Sequence, residues 1–94
     1  MAPTAQDFRA ELERVFAEGR RQGLPYVDVN SGVLHRRVGS YPGPDHRMPV
    51  CCEVLHSAMK AGDRVLGEPP SGQGAMLTIR YVLPRSGASG GRQR

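Results

Sequence analysis

After Gly62 the apolar residues stop recurring every three or four positions and begin to alternate. A helix brings side chains round to the same face at that longer period, whereas a strand does so every second residue, so the chain changes its local structure there. Over residues 76–83, Leu77, Ile79, Tyr81 and Leu83 take one face and Thr78 and Arg80 the other, which predicts a strand with one buried side. Arg64, Val65 and Leu66 predict its partner. The intervening Glu68-Pro69-Pro70-Ser71-Gly72-Gln73-Gly74 cannot continue a ladder, because proline has no N–H to donate, and it reads as the loop of a hairpin.

What precedes the hairpin must cover it. Thr4 is placed to cap a helix and Asp7 to return the favour, and Phe8, Leu12, Val15, Phe16 and Gly19 then fall on one face, predicting a helix over 5–22 that ends at Gly23 and Pro25. Tyr26, Val27, Asp28 and Val29 suit a pleated surface but are few, so they predict a single edge or minor strand. Ser31 offers a cap to a short helix through Val38, with Leu34 and Val38 inward, His35, Arg36 and Arg37 on the polar side, and Gly39 as its stop. The turn-rich segment 40–47 follows. Pro49 then sits in the first turn of a third helix running to about Lys60, with Cys51, Val54, Leu55, Ala58 and Met59 inward and Cys52, Glu53, His56 and Lys60 nearer solvent.

The expected class is therefore α+β, three helices with a small antiparallel sheet in the order α-β-α-α-β-β. One domain over 1–85 is expected, followed by a Gly, Ser and Arg tail over 86–94 that has no apolar anchor and is expected to be disordered. No apolar run approaches the ~20 residues of a spanning helix, and the N-terminus has no signal-peptide pattern, so neither membrane nor secretion is expected. Cys51 and Cys52 are adjacent, and a bridge between neighbours closes no useful loop; they read as reduced thiols in a cytoplasmic protein.

With 94 residues the chain has little volume for a deep catalytic cleft, which favours binding over catalysis. Its net charge of +4 is unevenly spread. The first 30 residues hold Arg9, Arg14, Arg20 and Arg21 against Asp7, Glu11, Glu13, Glu18 and Asp28, so the positive excess lies in the rest. A near-neutral first helix followed by a basic remainder is what one face turned to a polyanion produces.

The order of elements, the Leu34 and Val38 helix feeding through a turn into the 49–60 helix, and the Gly-rich tip at Ser71, Gly72, Gln73 and Gly74 resemble the winged helix-turn-helix family over roughly residues 4–85. The resemblance implies binding of double-stranded DNA by a small transcriptional regulator or a reader of modified DNA, with the third helix in the major groove and the hairpin tip on the backbone or minor groove. On that basis His46 and Arg47 stand where side chains reach furthest into a groove, and Arg47 has the fork that takes guanine. Glu53 and His56 lie on the outer side of the same helix, Arg36 and Arg37 are expected beside phosphates, and Ser71, Gly72 and Gln73 at the wing. Arg64 and Arg80 are expected to extend the positive surface toward that wing. A regulator of this kind would act as a homodimer or with a partner protein.

Other readings fit less of the sequence. Cys52 and His56 are four apart and His46 lies near Cys51, but the paired spacings of structural zinc sites are absent, so no metal is expected. Cys52 with His56 or His35 is the sole nucleophile and base pairing in view, without a third group to orient it, and the Gly-rich tip lacks the Lys-Ser/Thr and the following helix of a phosphate loop; no enzyme and no cofactor are expected. The serious rival is a winged helix used for protein contact, in which Met48, Val50 and Met76 would form an apolar patch with Tyr41.

Overall fold

The computed structural model describes residues 2–39, 43, 46–68 and 74–84. Its elements run α1 (Ala5–Arg21), β1 (Tyr26–Asn30), α2 (Ser31–Val38), α3 (Met48–Ser57), β2 (Arg64–Gly67) and β3 (Thr78–Val82). The expected α+β class and element order both hold. The expected tail and the hairpin tip at Ser71, Gly72 and Gln73 lie outside the described residues.

α1 begins where two reciprocal hydrogen bonds satisfy its first amides: the Thr4 hydroxyl accepts from the Asp7 N–H, and the Asp7 carboxylate from the Thr4 N–H. Phe8, Leu12, Phe16 and Gly19 form its buried stripe. Gly19 is there for clearance, since a Cβ would stand 2.7 Å from Val27 Cγ1 and 2.8 Å from Leu83 Cδ1. The helix gives out at Gln22 and Gly23, the latter at φ 74°.

The three strands form an antiparallel sheet in the order β1-β3-β2. β3 is thus central, and the first strand reaches across from the far end of the sequence to pair with the last, Asp28 opposite Arg80 and Val29 opposite Ile79. The hairpin partner β2 sets Arg64 opposite Arg80 and Val65 opposite Ile79, with a bulge before Gly67. Alternation along β3 sends Leu77, Ile79, Tyr81 and Leu83 into the core, as their spacing predicted. There Tyr81 packs edge-on to Phe16, ring centroids 4.9 Å apart, and its hydroxyl donates to the Leu55 carbonyl at 2.6 Å. All three helices therefore close over one face of the sheet, each fully buried Leu or Phe contributing about 1.5–3 kcal/mol of transfer free energy.

Four local expectations change. Asn30, not Ser31, caps α2, its Oδ1 accepting from the Val33 N–H, and Ser31 is the first helical residue. α3 starts at Met48 and stops at Ser57, short of Lys60, because Met59 turns back to the His56 carbonyl and the Lys60 N–H is taken by the Asp63 carboxylate. Cys52 is fully buried rather than near solvent, covered by the backbone around Gly74. His35 is likewise fully buried, its ring edge-on to Phe8.

Candidate nucleic-acid interface

The surface that the expected residues share begins at the junction of α2 and α3. Arg47 is the N-cap of α3 and has no side-chain cap of its own, but its backbone N–H donates to Nε2 of His35 at 2.8 Å. His46 accepts the next amide, that of Met48, on Nδ1 at 3.3 Å. Two imidazoles thus stand in for the Ser, Thr, Asp or Asn that ordinarily satisfies the open amides of a helix start. The effect is to pin α3 to the last turn of α2 while the side chains of His46 and Arg47 stay exposed.

A second joint fixes the hairpin to the same pair of helices. The Ser31 hydroxyl donates to the Gly74 carbonyl, the Ser31 N–H to the Leu77 carbonyl at 2.8 Å, and the Gly32 N–H to the Ala75 carbonyl at 3.2 Å. From α3, the Cys52 thiol reaches the Gly74 carbonyl and the Cys51 thiol the Ser31 carbonyl, each at 3.5 Å. The limb that leads out of the hairpin tip is therefore seated against the start of α2 and the first half of α3. Burial pushes the Cys51 thiol up to about 12, with the neighbouring Cys52 adding to it, and burial also raises Cys52. Both remain neutral thiols that pack and donate weakly, which is how small buried cysteines behave.

Along α3 the exposed side holds Pro49, Glu53, His56 and Ser57, with Lys60 just beyond. Positive charge on this helix thus sits at its two ends, and Glu53 divides them. On α2, Arg36 and Arg37 are both exposed, and Arg37 Nε donates to Glu11 of α1 at 2.8 Å, with Arg14 3.6 Å from the same carboxylate. Arg37 thus ties α2 to α1, a role that competes with the phosphate contact expected of it.

Arg64 and Arg80 share a face of the hairpin, as expected, but that face is the one turned away from the helices. Arg80 is held by both oxygens of Asp28, at 2.8 and 3.1 Å, which lowers the Asp28 carboxyl below its ordinary value and engages two of the guanidinium nitrogens. So His46 and Arg47 stand exposed at the start of α3, Glu53 and His56 on its exposed side and Arg36 on α2, whereas Arg64 lies on the far face of the sheet. Of the apolar patch expected for protein contact, Met48 is buried in the core, Val50 is half-buried and Met76 is 74% exposed.

Sequence reasoning missed His35 and Ser31, the two residues that make the joints. The signal for the cap was present, because Asn30 stands three residues before Val33. No family model, curated protein or solved structure matches the chain. No helix among the described residues is long and apolar enough to cross a membrane, and no group of three or more His, Cys, Asp or Glu there is placed to hold a metal ion.

Proposed function

We infer that the chain is a winged helix-turn-helix domain that binds double-stranded DNA, with α3 entering the major groove by its N-terminal end and the hairpin tip at 71–74 lying on the adjacent backbone. One observation carries this reading: the hairpin limb at Gly74 is fastened to α2 and α3, while His46 and Arg47 remain exposed at the start of α3. A groove-reading helix with a backbone-touching loop beside it needs both parts held in fixed relation. Arg47 is the residue assigned to base contact, with His46 and Arg36 on phosphates and Ser71, Gly72 and Gln73 at the tip. A transcriptional regulator and a reader of modified DNA would both use this surface, as a homodimer in the first case.

Fluorescence anisotropy with a random duplex pool tests it. Affinity should fall steeply between roughly 50 and 200 mM salt, and Arg47→Ala should cost about 1–3 kcal/mol of specific binding, more than Arg92→Ala does. Binding that ignores salt, or no binding to any duplex, overturns the reading. The exposure of Met76 at 74% and Val33 at 56% favours a second reading, a protein-contact module, and that result would turn the assignment to it.

A further inference from the structure

We propose that the open face of the sheet, opposite the helices, is a separate site for single-stranded nucleic acid, where a base stacks on the Arg80–Tyr26 pair and its phosphate is held by Arg64. The strand register lays Asp28, Arg80 and Arg64 in one row across β1, β3 and β2. Asp28 grips Arg80 through Nε and Nη2, and the Arg80 guanidinium carbon lies 3.9 Å above the centre of the Tyr26 ring. One edge and one face of the guanidinium are thereby occupied, yet the side chain keeps 35% of its exposure. It is a planar cation held flat in advance, so a ring stacking on it loses little entropy on ordering it.

Arg64 supplies the second half. Like charges directly opposite each other weaken a strand pair, so Arg64 beside Arg80 is an unfavourable choice for stability alone. Asp28 answers Arg80, and among the described residues no carboxylate pairs with Arg64. The row therefore carries one uncompensated positive charge beside the guanidinium that stacks on Tyr26, with Val82, 42% exposed, as the cross-strand neighbour of Tyr26. An acidic peptide would satisfy Arg64 and leave the flat surface unused. A nucleotide uses both, since bases stack on aromatic rings and guanidinium planes while the backbone meets the cation. Duplex DNA keeps its bases stacked inside and cannot do so.

The full chain is titrated with an oligothymidylate of about ten nucleotides while the Arg Nε and Tyr ring resonances are followed by NMR. Tyr26, Arg64 and Arg80 should shift together and saturably. Arg64→Ala should weaken binding about fivefold and Arg80→Lys about tenfold, because lysine keeps the charge near Asp28 but loses the plane. Arg47→Ala should leave this binding unchanged, so the result is independent of duplex binding at α3. If the three residues do not shift, if Arg80→Lys binds as the parent does, or if polyglutamate of equal length produces the same shifts, the site is not one for single-stranded nucleic acid.

Discussion

The imidazole of His35 and the backbone of Arg47 share a 2.8 Å hydrogen bond in which Nε2 accepts, and the ring making it is fully buried. Replacing His35 by Ala leaves a buried cavity beside Phe8 and an amide without its acceptor. Unfolding by urea should show a loss of about 2–4 kcal/mol. His35→Phe separates the two causes: it refills the space without an acceptor, and should still lose about 1–3 kcal/mol. Parental stability in that variant would mean that the hydrogen bond does not hold α3 in place.

Asp63 performs a comparable task at the other end of α3. One carboxylate oxygen accepts the Lys60 N–H and the other the Val82 N–H, both at 2.8 Å, so the side chain closes the turn after α3 and continues the hairpin ladder past Arg64. Asp63→Ala should cost about 1–3 kcal/mol, and Asp63→Asn, which keeps one acceptor, less. Hydrogen exchange at Val82 should accelerate in both. Unchanged exchange there would show that the strand end is held by other contacts.

These residues also mark how far the sequence could be read. The Leu77, Ile79, Tyr81, Leu83 alternation and the Thr4–Asp7 cap were legible because their physics is local, within a few positions of one chain segment. His35 and Cys52 were misjudged as solvent-facing, and the partners of Arg37 and Arg80 went unread, because what surrounds each is brought from elsewhere. Arg47 is 12 positions from His35, Gly74 is 22 from Cys52, Glu11 is 26 from Arg37, and Asp28 is 52 from Arg80. A polar side chain on a short helix reads as solvated until the topology supplies its partner. The candidate interface was legible at His46 and Arg47, which are exposed at the start of α3, and less so at Arg37 and Arg64, whose surroundings depend on α1 and on the turned-away face of the sheet.

The buried thiols give a pH dependence of definite sign. Cys51 is raised to about 12 in the fold, whereas an exposed cysteine titrates near ~8.5, so the folded state favours the neutral thiol. The stability this contributes is complete below the unfolded value and is lost as pH rises from there toward 12. Denaturation midpoints should therefore hold at neutral pH and decline in the alkaline range, less so in Cys51→Ala once its own packing loss is subtracted. At pH 8 an aromatic disulfide reagent should label both cysteines at least about a hundredfold more slowly in the native protein than in urea. Rapid native labelling would place the thiols at the surface.

Gly32 decides whether the seat of the hairpin limb is rigid. In an unobstructed helix, alanine in place of glycine stabilises by up to about 1 kcal/mol, since the unfolded chain loses freedom. Here the added Cβ would stand 3.1 Å from both the Cβ and the carbonyl oxygen of Ala75, and 3.2 Å from the Asn30 oxygen that caps α2. None of these is the end of a long flexible side chain. The Ala75 carbonyl cannot retreat without lengthening the bond it accepts from the Gly32 N–H, and Asn30 cannot move without uncapping the helix. Crowding of this kind costs about 1–3 kcal/mol, so Gly32→Ala should destabilise on balance. It should also weaken duplex binding while Arg47 is untouched, because the limb at Gly74 would be displaced from α3. A stabilised Gly32→Ala protein would mean that the limb yields easily and that α2 does not fix where the hairpin points.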